Sequence, residues 1–334
     1  MRRRVAKPGR LLAWTAGFFS LVAFPVAPAG EFVPVNAQVI KTFRQGSANN
    51  DLGPLQFLGG LQYASSDRRL GGVSSIRFRP DARSFVAILD SGDWMTGQTV
   101  RDGTGRLAGL ADISIAPMLG ADGQPGSKSE MDSEGLAARG SKVIVSYERQ
   151  HRIAAYPDPG FETSKPRPVD MVIPKRELRS NGGIETLAVA PAGSPLKGAI
   201  VAVAERSIDA DGNLFAAVLD GPLKGIFKVS KDDPWDVTDG DFLPDGDLLL
   251  LERRFSFTGG VGMRIRRIDG NTIRPGTVVD GEVLIEADMS AEIDNMEGLD
   301  VIRGPEGDTR IILVSDDNRS FLQRNLMLEF RLTE

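Results

Sequence analysis

Short runs in which apolar and polar residues alternate, separated by turns rich in Gly, Pro and Asp, make up most of the chain. The clearest unit spans residues 132–149, where a strand carrying Glu134 turns at Arg139-Gly140 and returns to end at Glu148. An alternation of period two is typical of antiparallel strands that are buried on one face. Because the start of one strand and the end of the next lie side by side in a hairpin, we expect Glu134 and Glu148 to meet.

This unit recurs along the chain, and each copy ends on an acidic residue. The closing acids are spaced 58, 57, 47 and 64 residues apart: Asp90, Glu148, Glu205, Glu252 and Asp316. Strand repeats of this length indicate propeller blades, here at about 72–118, 132–175, 181–230, 235–287 and from about 296 onward. No long stretch has helical periodicity. The prediction is an all-β β-propeller of four-stranded antiparallel sheets, with five or six blades.

The number of blades depends on two N-terminal segments, 35–40 and 55–63, that also read as strands. They either form a sixth blade or complete the last one, which would close the ring without leaving an exposed sheet edge. No linker separates the strand repeats, so residues 30–334 are predicted to form a single propeller domain.

Composition narrows the possible partners. The chain has 334 residues and a formal net charge of −5; residues 1–29 hold five basic residues and no acid, so the remainder carries −10. An acidic surface disfavours nucleic acid and anionic membranes as partners. The absence of Cys excludes disulfides, thiolate metal sites and Cys nucleophiles.

Residues 1–29 have the pattern of a secretory signal peptide. A basic segment, Arg2–Arg10, precedes an apolar stretch, Leu11–Val26, and Ala27-Pro28-Ala29 fits a small-x-small cleavage site. We therefore expect a periplasmic or secreted protein that is free of the membrane after cleavage. An uncleaved anchor is the alternative, and Arg2-Arg3-Arg4 leaves both the general secretory and the twin-arginine routes open.

The candidate site follows from the propeller geometry, since the innermost strands of all blades line one channel. The acids that open and close the hairpins should then converge at one mouth of it. A crowd of carboxylates needs arginines or cations to neutralise it, and oxygen ligands without Cys suit Ca²⁺ better than Zn²⁺. The candidate catalytic residues are Glu134, Glu148, Glu185, Glu252 and Glu297; the candidate metal ligands are Asp90, Asp93, Glu205, Asp316 and Asp317; and the candidate anion-binding residues are Arg149, Arg206, Arg253 and Arg319.

A purely structural role for the same residues remains open. Glu-Arg pairs could recur as ion pairs between blades simply because the blade recurs, and such networks also gather ionisable groups. His151 follows Glu148 by three residues and is the one histidine. A solvated loop position suits it better than a general base. Ser74 and Ser75 are possible nucleophiles, but no Gly-x-Ser-x-Gly elbow is present.

Taken together, these motifs resemble the phytase-like family described by an esterase-like activity, a group of bacterial exported β-propellers. The resemblance covers about residues 55–332 and rests on the segments 70–76, 88–93, 132–136, 183–187, 250–253, 295–299 and 313–318. It implies a propeller that hydrolyses a phosphate ester or another ester. It supplies no set of catalytic residues, so the candidate residues rest on the hairpin geometry.

The hypothesis is therefore an exported, monomeric hydrolase of phosphate or carboxylic esters, acting on a small anionic or ester substrate with Ca²⁺ at the channel mouth. A calcium-dependent lactonase is one alternative. A non-catalytic propeller that binds a ligand or protein is another, and it gains support if every acid at the mouth is paired with an arginine.

Overall fold

The computed structural model describes residues 30–256 and 259–333, so the predicted signal peptide at 1–29 lies outside the described residues. These residues form twenty-three strands and three short 3-10 turns (Phe161–Thr163, Lys175–Glu177 and Gly270–Thr272). Within these two ranges there is no α-helix, and accordingly no helix long and apolar enough to cross a membrane. The strands assemble into five sheets, which are the blades of a five-bladed β-propeller.

Each blade runs outward from a short inner strand beside the channel. Blade 1 consists of β4 (Val73–Phe78), β5 (Ser84–Leu89), β6 (Asp93–Arg101), β7 (Leu107–Pro117) and β1 (Glu31–Phe32). Blade 2 consists of β8 (Ser133–Arg139), β9 (Lys142–Tyr147), β10 (Arg152–Pro157) and β11 (Arg167–Val169). Blade 3 consists of β12 (Ile184–Val189), β13 (Ile200–Ile208), β14 (Leu214–Val218), β15 (Gly225–Val229) and β19 (Val278–Val279), the last parallel to its neighbour.

The remaining two blades follow the same order. Blade 4 consists of β16 (Asp236–Phe242), β17 (Leu248–Ser256), β18 (Gly260–Ile268) and β20 (Glu282–Asp288). Blade 5 consists of β21 (Asn295–Arg303), β22 (Thr309–Asp316), β23 (Asn325–Leu332), β3 (Leu55–Ala64) and β2 (Asn36–Ile40). The N-terminal strand β3 pairs antiparallel with the C-terminal strand β23. The N-terminal segments thus complete blade 5 rather than forming a sixth blade, and strands from both ends of the chain close the ring within one sheet.

The hydrophobic core lies between neighbouring blades rather than at the centre of the ring. In blade 1, for example, Trp94 packs edge-on against Tyr156 of blade 2, with the ring centroids 5.1 Å apart. Between blades 4 and 5, the rings of Phe43, Phe57 and Phe330 form a similar cluster. Because side chains alternate along a strand, one face of each strand lies in these layers. Burying each large apolar side chain there stabilises the folded state by about 1.5–3 kcal/mol. The layers hold adjacent blades in fixed register around the channel.

The inner hairpin of every blade contains a β-bulge at the same place, close to the start of the inner strand. The inserted residue is Ser74 in blade 1, Glu185 in blade 3, Thr238 in blade 4 and Glu297 in blade 5, and in blade 2 it falls at Glu134-Gly135. A bulge interrupts the alternation of side chains and re-aims one of them. Here it occurs at equivalent positions around the ring, beside the channel.

Glycine on the inner strand allows the blades to approach closely at this point. A Cβ atom on Gly135 would lie 2.4 Å from the carbonyl oxygen of Glu185 in blade 3. At the corresponding place in blade 5, a Cβ atom on Gly298 would lie 3.3 Å from the Cα atom of Ser75 in blade 1. The repeated Glu-Gly-Leu sequence therefore combines a bulged acid with a residue small enough for contact between inner strands.

Candidate functional site: an acidic cavity at the channel mouth

A polar cavity of about 290 Å³ opens at the end of the channel where the inner strands begin. Eight carboxylates line it, together with four cationic and three neutral polar residues: Asp90, Asp132, Glu134, Glu148, Glu185, Glu205, Glu297 and Asp316; Lys128, Arg149, Arg206 and Arg253; and Ser74, Asn181 and Asn318. The carboxylates outnumber the cations by two to one. Something other than these side chains must therefore neutralise part of the negative charge, either protons or a bound cation.

Two sets of equivalent positions supply most of this lining. The first is the bulge set, in which Ser74, Glu134, Glu185 and Glu297 face the cavity whereas Thr238 of blade 4 is buried and donates to the Met296 carbonyl oxygen. The second set lies on the second strand of each inner hairpin. In each blade it is the residue just after the one that pairs with the residue preceding the bulge: Asp90, Glu148, Glu205, Arg253 and Asp316. All five residues of this second set line the cavity.

Glu134 and Glu185 are the unpaired acids of the cavity. Neither carboxylate accepts a hydrogen bond or an ion pair from residues 30–256 or 259–333, and the Glu185 side chain is more than nine-tenths buried at 8% exposure. Burial, reinforced by the charges of neighbouring acids, raises the pKa of Glu134 and of Glu185 well above the usual value. Charged carboxylates left without partners at such depth are costly, so this arrangement favours a ligand that brings positive charge.

Glu148 links these two acids into overlapping groups. Carboxylate oxygens of Asp132, Glu134 and Glu148 lie within 4.8 Å of one another, and so do those of Glu148, Glu185 and Glu205. Glu148 is held from behind by the backbone N–H groups of Gly182 and Gly183, which donate to its Oε1 atom. Clusters of carboxylate oxygens at this spacing fit a hard cation such as Ca²⁺.

On the opposite side of the cavity, Arg253 joins two acids of different blades. Its Nη2 atom lies 3.3 Å from Oε1 of Glu205, and its Nε atom lies 3.3 Å from Oε1 of Glu297. Burial raises the pKa of Glu297 to about 7 despite the opposing effect of Arg253. Burial also raises the pKa of Glu205, against the effect of Arg206 and Arg253. Glu297 can therefore exchange a proton near neutral pH.

The rim of the cavity carries the other ion pairs. Arg149 Nε lies 2.6 Å from Oδ2 of Asp132, and Lys128 Nζ lies 2.6 Å from Oδ2 of Asp90. Asp316 accepts from the backbone N–H of Gly72 at 2.8 Å, and burial raises its pKa to about 6. Both cations of the rim are therefore paired with acids, whereas Glu134 and Glu185 have no partner among the described residues.

The channel is closed below the cavity by Arg77, three residues beyond Ser74 on the same inner strand. Arg77 is 5% exposed and reaches Asp239 of blade 4, and the hydroxyl of Ser75 donates to the same carboxylate at 2.8 Å. Ser75 therefore belongs to this floor rather than to the reactive surface.

Glu252 was predicted to line the channel mouth because the sequence pattern aligned it with the acids that close the other inner hairpins. The structure shows a different register. Glu252 pairs across the ladder with Val237, and the residue equivalent to the closing acids of the other blades is Arg253, which pairs with Asp236. Since side chains alternate along a strand, Glu252 points away from the channel, into a buried network with Arg264 and Arg266. Glu252 is a structural ion-pair residue.

Three other predicted residues lie beside the cavity rather than in its lining. Asp93 accepts from the Ser91 hydroxyl at 2.6 Å, and Asp317 accepts from the Asn325 side chain at 2.8 Å. Arg319 lies 3.2 Å from Asp90 and so supports a lining residue from behind. The acids Asp93 and Asp317 are therefore not brought into the metal-binding groups.

The structure also places His151 differently from its prediction as a solvated loop residue. His151 is buried at 8% exposure, and its Nε2 atom donates to the Arg179 carbonyl oxygen at 3.0 Å, so it is not a solvated loop residue. It packs behind Gly183, outside the cavity lining.

Three residues line the cavity that the sequence analysis did not name as site residues: Asp132, Lys128 and Asn181. Asp132 could have been found from its place before the bulged strand, whereas Lys128 and Asn181 lie in loops with no pattern.

Comparisons with known proteins identify a family and list similar solved structures. A family model described as "Phytase-like: Esterase-like activity of phytase" matches residues 68–319. Among solved structures, an endo-arabinase from Bacteroides thetaiotaomicron aligns at 13% identity over 78% of this chain and 93% of its own, with a TM-score of 0.46. The calcium-binding protein regucalcin from Agrobacterium tumefaciens aligns at 10% identity over 78% and 91% of the two chains, with a TM-score of 0.41. A search of curated proteins finds no match.

Proposed function

The chain belongs to the phytase-like family described by the esterase-like activity of phytase, and on this premise we propose that it hydrolyses an ester in the acidic cavity with the help of bound Ca²⁺. One observation carries the proposal. Glu134 and Glu185 face the cavity without a hydrogen bond or ion pair from the described residues, among a surplus of carboxylates. Such a site is arranged for a cation, since burying unpaired charges has no structural benefit.

The residues that would hold the cation are Asp132, Glu134, Glu148 and Glu185. They offer hard carboxylate oxygens at suitable spacing, and neither Cys nor the buried His151 competes for a softer metal. When bound, Ca²⁺ would polarise the ester oxygen and lower the pKa of a water molecule beside it. The closed floor beneath these residues keeps the substrate on the side of the mouth.

Glu297 is the group best suited to move a proton. Its raised pKa, about 7, allows the carboxyl group to take a proton from water and return it to a leaving group near neutral pH. Asn295 donates to its Oε1 atom at 2.6 Å, which fixes the direction in which the carboxylate points. Arg253 on its other side limits how far the pKa rises.

The cations of the lining suit a substrate that carries or develops negative charge. Arg206 and Arg253 lie on one side of the cavity and Arg149 on the rim, where guanidinium groups can bind phosphate or carboxylate oxygens. The volume of about 290 Å³ admits a small ester group rather than a polymer segment. We therefore propose a small phosphate or carboxylic ester as the substrate.

The proposal also includes the location and the oligomeric state of the protein. The predicted signal peptide supports export to the periplasm or beyond, where free Ca²⁺ is available, and the closed ring supports a monomer. Fractionation of cells that produce the full chain, followed by light scattering of the mature protein, tests both points.

The test is hydrolysis by the purified protein of phytate, nitrophenyl phosphate, nitrophenyl acetate and a simple lactone, with Ca²⁺ and with EDTA. We expect turnover of at least one ester that EDTA abolishes and that Glu134→Gln lowers at least a hundredfold. Glu306→Gln is the matched control, because Glu306 is exposed in the β21–β22 turn at the far end of blade 5. Turnover of the lactone alone would identify a lactonase. No turnover, with a metal or ligand still bound, would indicate a non-catalytic binding propeller.

A further inference from the structure

Blade 4 departs from the other four blades at one position of the cavity lining. The residue that closes the inner hairpin is acidic in blades 1, 2, 3 and 5, namely Asp90, Glu148, Glu205 and Asp316. In blade 4 the equivalent position is Arg253. The bulge residue of blade 4 is also neutral, since Thr238 stands where Glu134, Glu185 and Glu297 stand elsewhere. Blade 4 therefore contributes a positive charge and no acid to the cavity.

The partners of Arg253 are oxygen atoms of the kind that a calcium ion takes. Its guanidinium group lies 3.3 Å from Oε1 of Glu205 and 3.3 Å from Oε1 of Glu297, and its Nη1 atom donates to Oδ1 of Asn295 at 3.1 Å. Two carboxylates and one amide oxygen thus converge on a single cationic group. The Nε atom is buried and has no hydrogen-bond partner among the described residues, so the guanidinium is held by charge more than by hydrogen-bond geometry.

Residues on the other side of the cavity converge in the same way but have no cation between them. Glu134 and Glu185 have no partner among the described residues, although they lie beside Glu148 much as Glu205 and Glu297 lie beside Arg253. The same pseudo-fivefold arrangement of acids is therefore neutralised in two ways. Arg253 neutralises Glu205 and Glu297, whereas on the other side Arg149 pairs with Asp132 only and leaves Glu134 and Glu185 without a cation among the described residues.

We propose that Arg253 is a built-in counter-cation that occupies the place of a metal ion beside Glu205 and Glu297 and confines Ca²⁺ to the group formed by Asp132, Glu134, Glu148 and Glu185. The inference rests on the proposed function, because it presumes that the cavity binds Ca²⁺. Arg253 is in this sense a positioning residue. It pairs with Glu205 and Glu297 and so keeps Glu297 outside the metal site, whereas Glu205, which also pairs with Arg206, borders both groups of acids.

The experiment compares Ca²⁺ binding to the wild-type protein and to Arg253→Gln by isothermal titration calorimetry and by elemental analysis after dialysis. Glutamine removes the charge and releases the oxygens of Glu297 and Asn295 from the guanidinium group, while Glu205 keeps its ion pair with Arg206. We expect one additional Ca²⁺ per chain, or a dissociation constant lowered by about tenfold or more once the like charge is removed. Arg253→Lys, which keeps the charge, should retain the wild-type stoichiometry. Arg69→Gln removes an exposed arginine paired with Asp67 and Glu31 and should change nothing.

The two proposals fail in different ways. Binding by the wild type tests the proposed function, and the difference between wild type and Arg253→Gln tests the role of Arg253. Equal stoichiometry and affinity in the two proteins would overturn this inference, even if the wild type binds Ca²⁺ well. If Arg253→Gln does not fold, Glu297→Gln and Glu134→Gln decide the matter. The first should leave Ca²⁺ binding within a few-fold of wild type and the second should weaken it at least tenfold; equal losses in both would contradict the proposed division of the cavity.

Discussion

The guanidinium group of Arg77 in blade 1 crosses the channel and forms a two-pronged contact with the carboxylate of Asp239 in blade 4, with both N–O distances 3.0 Å. The same group donates to main-chain carbonyl oxygens of Leu187 in blade 3 and Leu299 in blade 5. One side chain thus joins four of the five blades at the axis. Because bidentate contacts of this kind fix both partners, the floor of the cavity is rigid.

Replacing Arg77 should therefore destabilise the whole ring. Arg77→Met leaves Asp239 buried without its cation, beside Asp300, whose pKa is already raised well above the usual value by burial and by the charge of Asp241. Removing one partner of a buried ion pair costs about 3–5 kcal/mol. Urea denaturation should show this loss in the free energy of unfolding. Arg69→Gln, which breaks an exposed pair, should cost less than about 1 kcal/mol. A small effect in both variants would mean that the floor does not hold the blades together.

Replacing glutamate by glutamine is predicted to lower the free energy of unfolding at Glu252 and the Ca²⁺ affinity at Glu148. Glu252→Gln leaves Arg264 and Arg266 buried without their shared carboxylate, so it should lower the free energy of unfolding by about 3 kcal/mol and leave Ca²⁺ affinity unchanged. Glu148→Gln should weaken Ca²⁺ binding by at least tenfold, because Glu148 belongs to both carboxylate groups. Paired denaturation and calorimetry measure both quantities. A loss of metal affinity in Glu252→Gln would reverse the structural assignment.

The sequence was sufficient for the fold because the relevant signals are local. Alternation within a strand and the repeated hairpin depend on neighbouring residues, so the all-β propeller and its repeated blades could be predicted, whereas the choice between a sixth blade and a closing role for the N-terminal strands stayed open. The gathering of Glu134, Glu148, Glu185, Glu205 and Glu297 around one opening also followed, because the inner strands of a propeller all point to the same channel.

The details of the lining could not be read in the same way, because they depend on register. A strand shifted by one residue turns every side chain to the other face, and aligning Glu252 with the closing acids of the other blades, where Arg253 stands, was an error of this kind. The bulges that re-aim Glu185 and Glu297 are visible only once the residues opposite them are known. Lys128 reaches the cavity from a loop whose path no periodic pattern determines.

The metal-free protein should lose stability as the pH rises from about 4.5 to about 7. Burial raises the pKa of Glu297 to about 7 and that of Asp316 to about 6, from 4.5 and 3.8 for the free side chains. The folded chain therefore binds more protons than the unfolded chain across this window, and the stability present at lower pH disappears as these groups ionise. Each group contributes up to about 3 kcal/mol.

Urea denaturation in EDTA at several pH values measures this dependence. Glu297→Gln should flatten it, because the amide does not titrate, and saturating Ca²⁺ should raise stability at neutral pH by binding Asp132, Glu134, Glu148 and Glu185. Stability that increases with pH in the metal-free protein across this window would contradict the raised pKa values.

Gly135 tests whether close contact between inner strands positions the bulged acids. In Gly135→Ala, the new Cβ atom would meet the carbonyl oxygen of Glu185 at 2.4 Å, so blades 2 and 3 must separate or the bulge must change. Overpacking of this kind costs about 1–3 kcal/mol, and we expect Ca²⁺ affinity to fall with it, because Glu134 and Glu185 flank the contact. Gly193→Ala is the control, since a Cβ atom there has no neighbour within 4 Å. If calorimetry shows unchanged Ca²⁺ binding in a destabilised Gly135→Ala, the close approach of the strands serves packing alone.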